Sequence, residues 1–173
     1  NKKNEFAKED KKNEKILLEY VSANPTGPLH IGHARGAIAG DSLARVGKYL
    51  GFDITTEYYI NDAGAQMDLL GLSVSLAARD FIFKEDVVYP ETYYRGEYLI
   101  DIANIVIEKF GKDIIYNESR FKEIAFFSKD LVMDIIIKDL KDLGITFDNF
   151  VSEKSLYPSW DSTKKVLQEN GSL

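Results

Sequence analysis

The stretch from Ile16 to His33, ILLEYVSANPTGPLHIGH, decides the fold class. Its first six residues form a short apolar run that favours β structure and predicts a buried strand. Pro25, Gly27 and Pro28 then exclude regular structure, and from about residue 31 the sequence turns helical. The stretch therefore predicts a strand, a loop and a helix in direct succession.

The next segment again predicts a strand followed by a helix. Residues 53–60, DITTEYYI, are rich in β-branched and aromatic side chains and predict a second strand. A helix is expected to follow, capped by Asn61 and Asp62 and extending to about residue 79. Strands that alternate with helices indicate an α/β protein with a parallel sheet, in which ligands bind beyond the carboxyl ends of the strands. The loop of residues 22–33 lies at such an end.

The rest of the chain is predicted to be mainly helical. Helical spacing of apolar residues covers about 95–110 and 119–143. Residues 145–151, ITFDNFV, alternate like a strand, and a last short helix is expected over about 160–170. We expect the two central helices to form an apolar pair.

Composition excludes several classes of protein. The chain has 173 residues with 45% hydrophobic content, enough for one globular domain with a real core. It has no cysteine, which excludes disulfide bonds and a Cys-ligated zinc site. No apolar run approaches the ~20 residues of a membrane span, so we expect a soluble, cytoplasmic protein without a membrane partner. The net charge of -6 gives no general support for nucleic-acid binding, and RNA contacts would need local patches or other regions.

Two histidines carry the strongest chemical signal. His30 and His33 are the only histidines, and they lie where the glycine-containing loop enters a helix. A helix start offers free backbone N–H groups and a positive dipole end, and imidazoles there can donate further hydrogen bonds to phosphoryl oxygens. Gly32 would let a flat base approach the backbone. The alternative is that the histidines only cap the helix, but their pairing after a strand and a Pro/Gly-rich loop favours a nucleotide site.

The same residues carry a family resemblance. His30-Ile31-Gly32-His33 is the HIGH signature of class I aminoacyl-tRNA synthetases, and SANPTGPLHIGHARGAIAGDSLAR resembles the arginyl-tRNA synthetase version of bacterial type. The stretches EYYINDAGAQMDLL, RGEYLIDIA and ITFDNFVSEKSLY agree with it. The resemblance implies the first half of a Rossmann-like nucleotide-binding domain. Residues 15–173 would be a partial catalytic domain with a helical insertion at about 80–143, and residues 1–14 a polar linker from a missing N-terminal domain.

The resemblance also implies an activity. It predicts ATP-dependent activation of arginine to arginyl-adenylate and transfer of arginine to tRNA(Arg), with Mg2+ accompanying ATP and no zinc. The partners would be arginine, ATP and tRNA(Arg), the last mostly through other regions, and we expect a monomer. His30 and His33 would be catalytic, and they would bind ATP together with Gly27, Pro28 and Gly32. The 173-residue fragment alone is expected to be inactive.

Arginine recognition needs a carboxylate, because a guanidinium group pairs bidentately with an acidic side chain. Glu19 is the candidate, since it is a polar residue in an apolar strand, and the resemblance adds Ser22 and Asn24. The alternatives are an exposed edge-strand acid for Glu19 and a turn former for Asn24. Possible substrate contacts, at the end of the second strand, are Asn61, Asp62 and Gln66, although the first two could simply cap a helix.

Other functions remain as alternatives. A synthetase-like domain that has lost catalysis and only binds a partner is one, and a nucleotidylyltransferase of the HxGH type is another. Cysteinyl-tRNA synthetases share HIGHAR, but they bind zinc through cysteines. Some arginyl enzymes carry a lysine where this chain has Gly27. We therefore expect the full-length protein to keep a functional lysine in a downstream KMSK-like loop.

Overall fold

A computed structural model describes residues 6–173. The chain alternates strands and helices, so the expected α/β class is confirmed. A π-helical turn, Ala78–Ile82, extends the second helix, and short 3-10 turns precede the fourth and sixth. The elements are β1 (Lys15–Glu19), α1 (Ile31–Tyr49), β2 (Asp53–Ile60), α2 (Ala65–Ala77), α3 (Tyr98–Phe110), α4 (Phe121–Asp142), β3 (Asn149–Ser152), α5 (Glu153–Leu156) and α6 (Trp160–Glu169).

The three strands form a parallel sheet in the order β1-β2-β3. Lys15 pairs with Asp53 at the start of β1, and Glu19 pairs with Glu57 at its end. Because the strands are parallel, all three carboxyl ends lie along one edge of the sheet. The β1–α1 loop leaves from this edge, as the sequence predicts.

Strand β1 differs from its prediction. It ends at Glu19 instead of continuing to residue 21, and it is an edge strand among the described residues instead of a buried one. Exposed and half-buried residues alternate along it, and Leu17 is 60% exposed. An apolar run does not distinguish a strand covered on both faces from one that is covered on a single face. The prediction of burial was therefore wrong.

Glycines allow α1 to pack closely on the sheet side. A Cβ atom at Gly40 would lie 2.2 Å from the Tyr20 ring, and one at Gly47 would lie 2.3 Å from Ile54 Cδ1. Gly36 has no such neighbour and is exposed. Close approach of α1 therefore requires glycine at positions 40 and 47 and does not require it at position 36.

The core lies mainly between helices α2, α3 and α4. Helix α2 is buried along most of its length, and α4 covers it so closely that a Cβ at Gly71 would lie 2.3 Å from the Phe121 carbonyl oxygen. Ser75 donates a 2.6 Å hydrogen bond to the Ile115 carbonyl, which ties the turn after α3 to α2. The fully buried apolar side chains include Leu70, Val74, Val106, Ile114, Ile124, Val132 and Ile136.

Several predicted boundaries shift. Helix α2 begins at Ala65 after Gly64, without a side-chain cap, so the predicted cap by Asn61 and Asp62 was wrong. Helix α3 begins at Tyr98 instead of about residue 95. The predicted strand over 145–151 is reduced to β3, since residues 145–148 are irregular and Ile145 is buried in the core. The insertion boundaries of about 80 and 143 and the role of residues 1–14 stay predictions.

The close packing of α2 on α4 gives a stability prediction. Gly71→Ala should destabilise the 173-residue chain by about 1–3 kcal/mol, because the new methyl group meets a backbone carbonyl that cannot rotate away. Gly36→Ala is the matched control and should stabilise α1 by roughly 0.5–1 kcal/mol, because it adds a side chain in open space. Urea unfolding of the two variants measures both effects. Equal effects of the two substitutions would contradict the packing described here.

The segment before β1 is irregular where it is described. Residues 1–5 of the predicted linker lie outside the described residues. The Lys12 N–H donates to the Gly51 carbonyl at 2.7 Å, and the Asp53 N–H donates to the Glu14 carbonyl at 3.1 Å. This segment therefore runs beside the start of β2. Across residues 6–173, no helix combines the length and apolar character needed to span a membrane.

Candidate active site

A strained turn opens the loop that follows β1. Val21 and Ser22 have φ angles of +67° and +39°, which non-glycine residues rarely adopt. The Ser22 N–H donates to the Tyr20 carbonyl at 3.0 Å, and the Ser22 hydroxyl accepts a hydrogen bond from the Tyr59 N–H at 3.0 Å. The turn is therefore fixed to β2. Strain of this kind is often retained at functional sites.

Two tyrosines hold the carbonyl groups of this loop. Tyr58 of β2 is fully buried and donates to the Ala23 carbonyl at 2.8 Å. Tyr98, the first residue of α3, donates to the Thr26 carbonyl at 2.6 Å. Between these contacts Pro25 is buried. The loop is therefore attached to the sheet on one side and to the helical layer on the other.

The two histidines form a reciprocal cap at the start of α1. The Gly32 N–H donates to His30 Nδ1 at 3.1 Å, and the His30 N–H donates to His33 Nδ1 at 3.3 Å. Their rings stack with centroids 3.7 Å apart. A Cβ at Gly32 would lie 2.9 Å from His30 Cε1, so glycine makes room for the His30 ring. The Gly32 N–H is therefore engaged by the cap.

The helix cap uses Nδ1 of each imidazole and leaves Nε2 available. Because Nδ1 accepts a hydrogen bond in both rings, the neutral tautomer carries its proton on Nε2. Both side chains line a cleft, where an Nε2–H group can donate to a ligand oxygen. Burial, and then the proximity of His30, hold the pKa of His33 below its usual value of 6.5. Capping and anion binding are thus compatible here.

The lowered pKa of His33 gives a prediction with a definite sign. Its neutral form is favoured in the folded state, so the stabilising contribution is present above pH 6.5 and is lost as the pH falls through the folded-state pKa. We expect an NMR titration of the His33 ring to have its midpoint below that of a short HIGH peptide. His30→Asn should raise this midpoint, because it removes the neighbouring imidazole. A midpoint at or above the peptide value would contradict the geometry.

The cleft lies between the loop and the segment that enters α3. It has a volume of about 640 Å³. One wall contains Asn24, Gly27 and Pro28, together with both histidines. The opposite wall is the segment YRGEY, residues 94–98, which supplies a cation, an anion and two phenol rings. The cleft therefore offers imidazole donors on one side and a guanidinium group on the other, a pattern suited to phosphate.

The three predicted arginine-binding residues differ in their surroundings. Asn24 is exposed and lines the cleft. Ser22 is half-buried and engaged with the Tyr59 N–H, although its own hydroxyl proton remains available to a ligand. Glu19 is exposed at the end of β1, beside Glu57 in the strand register. It is not among the residues that line the cleft, and it follows the alternation of an edge strand.

The residues after β2 lie elsewhere. Asp62 is buried, accepts from the Ser152 hydroxyl at 2.8 Å and the Lys154 N–H at 3.2 Å, and lies 3.7 Å from Lys129 Nζ. Gln66 donates to the Asn61 carbonyl at 2.8 Å. None of the three predicted contact residues lines the cleft. Asp62 therefore connects the end of β2 to the end of β3 through hydrogen bonds.

Sequence reasoning missed part of the site. Tyr58 is fully buried in the core, and Tyr94 is partly buried at the rim of the core, where it also lines the cleft. Arg95 and Glu97 also line it, because the segment before α3 is irregular and folds back against the loop. The motif RGEY contributes to the family resemblance, which assigns no site residue within it. Its arginine and glutamate, adjacent to glycine, were the available signal.

Within the described range 6–173, no cluster of three or more His, Cys, Asp or Glu residues could hold a metal ion. Glu97 is the carboxylate that lines the cleft. A divalent ion at this site would therefore depend on oxygen ligands from a bound phosphate group.

Comparison with known proteins gives a consistent family. The model of the family described as tRNA synthetases class I (R), catalytic domain, matches residues 1–171. An arginine–tRNA ligase of Aliarcobacter butzleri is 79% identical over 173 residues, which are 100% of this chain and 32% of that protein. One of Campylobacter concisus is 59% identical over 97% of this chain and 32% of its own length. The chain thus spans about a third of the curated relatives that it matches.

Solved structures agree with the fold. An arginyl-tRNA synthetase of Campylobacter jejuni superposes with a TM-score of 0.89 at 49% identity, covering 96% of this chain and 37% of that one. The arginyl-tRNA synthetase of Thermus thermophilus superposes with a TM-score of 0.61 at 19% identity, covering 94% of this chain and 28% of that one. The second likeness concerns the fold alone.

Proposed function

We propose a function from one premise: this chain belongs to the family of class I tRNA synthetase (R) catalytic domains, the arginyl-tRNA synthetases. The whole protein is an arginine–tRNA ligase, which activates arginine with ATP and transfers it to tRNA(Arg). These 173 residues supply the half of the active site that contains HIGH. The single observation that carries the proposal is the stacked pair of His30 and His33 at the helix start, which lines the cleft and has Nδ1 of each ring engaged in the helix cap.

The histidines bind ATP through its phosphate oxygens. In the reaction, the arginine carboxylate attacks the α-phosphorus, the bond to the bridging oxygen of pyrophosphate breaks, and negative charge builds on the phosphoryl oxygens. Preorganised donors stabilise that charge without forming a covalent bond to the protein. His30 and His33 are the donors, Gly27 and Pro28 line the ATP side of the cleft, and Gly32 contributes by making room for the His30 ring.

Arginine binds beside the start of the loop, through Asn24, Ser22 and Glu19. The exposed Asn24 side chain lines the cleft, and this supports its role most directly. Glu19 and Glu57 lie side by side in the strand register and give this end of the sheet negative charge, which favours a guanidinium group. Asn61, Asp62 and Gln66 stay weaker proposals as substrate contacts, because hydrogen bonds within the protein already engage Asp62 and Gln66.

Magnesium enters with ATP. The chemistry of the cleft fits this, because its Glu97 carboxylate alone is too few ligands for a hard cation that prefers six oxygens. The ion would neutralise phosphate charge, and the histidines would orient the α-phosphate. tRNA(Arg) binds mostly through other parts of the protein, in agreement with the net charge of -6 of this chain. The whole protein functions in the cytoplasm as a monomer.

Aminoacylation of tRNA tests the proposed function. The whole protein, given ATP, labelled amino acid and bulk tRNA, should charge tRNA with arginine and with no other amino acid. A synthetase-like binding domain would bind tRNA without charging it. Absence of arginine transfer by a folded, ATP-binding protein would contradict the proposal.

A further inference from the structure

We infer that Tyr98 is a positioning residue, whose hydroxyl holds the ATP loop in place from the helical layer. The inference rests on the proposed function, because the loop that it fixes is the one assigned to ATP. Tyr98 is the first residue of α3 and is separated from the loop by about seventy residues, yet its hydroxyl donates to the Thr26 carbonyl at 2.6 Å. The contact joins the two walls of the cleft.

The Tyr98 ring has space only because glycines flank it. A Cβ at Gly27 would lie 3.2 Å from the Tyr98 hydroxyl oxygen, and one at Gly96 would lie 2.7 Å from the ring carbons Cδ1 and Cε1. Gly96 also has a φ angle of +146°, which other residues rarely adopt. The ring is therefore enclosed by backbone on both sides, and its position is tightly defined.

The hydroxyl is a reliable donor near neutral pH. Burial, and then the neighbouring Tyr94, raise the pKa of Tyr98 to about 12, so the phenol keeps its proton. Thr26 is itself buried, so its carbonyl has little water to replace a lost donor. Removing the hydroxyl would release the Thr26 carbonyl and the residues after it, which lead through Gly27 and Pro28 to His30.

The two tyrosines that donate to loop carbonyls hold different parts of the loop. Tyr58 holds the Ala23 carbonyl from β2, close to the proposed arginine-binding residues. Tyr98 holds the Thr26 carbonyl on the ATP side. Loss of the Tyr98 hydroxyl should therefore disturb ATP more than arginine. A purely structural role would lower the amount of folded protein and leave the kinetic constants of the folded fraction unchanged.

The test is Tyr98→Phe in the whole protein, with Tyr116→Phe as the matched control. Tyr116 also donates its hydroxyl within the helical layer, to Glu85, but it is 52% exposed and lies outside the cleft lining. We expect Tyr98→Phe to weaken ATP binding about 3- to 10-fold by calorimetry, the value of one hydrogen bond. The kcat of arginine-dependent pyrophosphate exchange should fall about 10- to 100-fold through misplacement of the histidines, with KM for arginine within about twofold.

A second variant separates the contact from general damage. Gly27→Ala places a methyl group against the Tyr98 hydroxyl and should lower kcat, but it should cost less in the Tyr98→Phe background, where the oxygen is gone. Additive effects of the two substitutions would overturn the inference. So would ATP affinity and kcat equal to those of the Tyr116→Phe control, or a loss that follows the folded fraction alone.

Failure of the proposed function would look different. If the wild-type protein exchanges pyrophosphate with another amino acid, or with none, the arginine proposal fails. The calorimetric comparison of ATP binding between wild type and Tyr98→Phe would still decide the role of Tyr98, because it requires no amino acid.

Discussion

Replacing His30 with asparagine should lower the kcat of arginyl-adenylate formation by about 10²- to 10³-fold in the whole protein and leave its stability nearly unchanged. Asparagine places an acceptor close to the position of Nδ1, so the Gly32 N–H keeps its partner and α1 keeps its cap. It does not reach the position of Nε2, so one donor to the phosphate is lost. Loss of one preorganised donor has this magnitude in related chemistry.

Glutamine at position 30 should have the opposite effect: it keeps the donor to the phosphate and removes the helix cap. Its amide reaches the position of Nε2 but offers no acceptor to the Gly32 N–H. We expect His30→Gln to retain more activity than His30→Asn and to lose roughly 0.5–2 kcal/mol of stability through the lost cap. Pyrophosphate exchange and thermal unfolding of both variants check the pair. Equal activity in the two variants, or full activity in His30→Asn, would show that His30 only caps the helix and does not donate to the phosphate.

Asp62→Ala should destabilise the 173-residue chain by about 1–3 kcal/mol. The carboxylate is buried, accepts from Ser152 and Lys154, and lies near Lys129. Its removal leaves a half-buried hydroxyl and a backbone N–H without their acceptor, and it takes one of two neighbouring carboxylates from the half-buried Lys129. Thermal unfolding followed by circular dichroism should show a fall in Tm of roughly 3–10 °C.

Asp130→Asn is the matched control for Asp62. Asp130 contacts the same lysine at 2.7 Å, but its side chain is 68% exposed, so its loss should change stability by less than about 1 kcal/mol. If Asp62 contacts substrate instead, Asp62→Ala would lower kcat/KM while Tm stays within a degree or two of wild type. That result would contradict the structural role argued here.

Local patterns in the sequence were enough to predict the main elements and the placement of the two histidines at the centre of the candidate site. The β-branched and aromatic run of residues 53–60 has the same bounds as β2, and helix α1 begins at Ile31, within HIGH, as expected. Both are short-range properties, set by side-chain period and by glycine and proline. The pairing of His30 with His33 is equally local, since three residues separate them and one turn brings their rings together.

What the sequence could not give depends on contacts between distant segments. The hydroxyl of Tyr98 reaches the loop only because α3 packs beside it, and no local pattern in the sequence encodes that contact. Asp62 has the residue type of a cap or a ligand, but its partners lie near residue 152. Leu17 belongs to an apolar run, yet edge position decides its exposure. Tertiary pairing overrides local pattern in each case.

Amino-acid-dependent pyrophosphate exchange by the whole protein tests the central claim most directly. Each amino acid is supplied with ATP and labelled pyrophosphate, with and without bulk tRNA, to wild type and to His30→Asn. We predict exchange with arginine, strongest when tRNA is present, and its near loss in His30→Asn. Exchange without any amino acid, as a nucleotidylyltransferase would give, or with an amino acid other than arginine, would contradict the account.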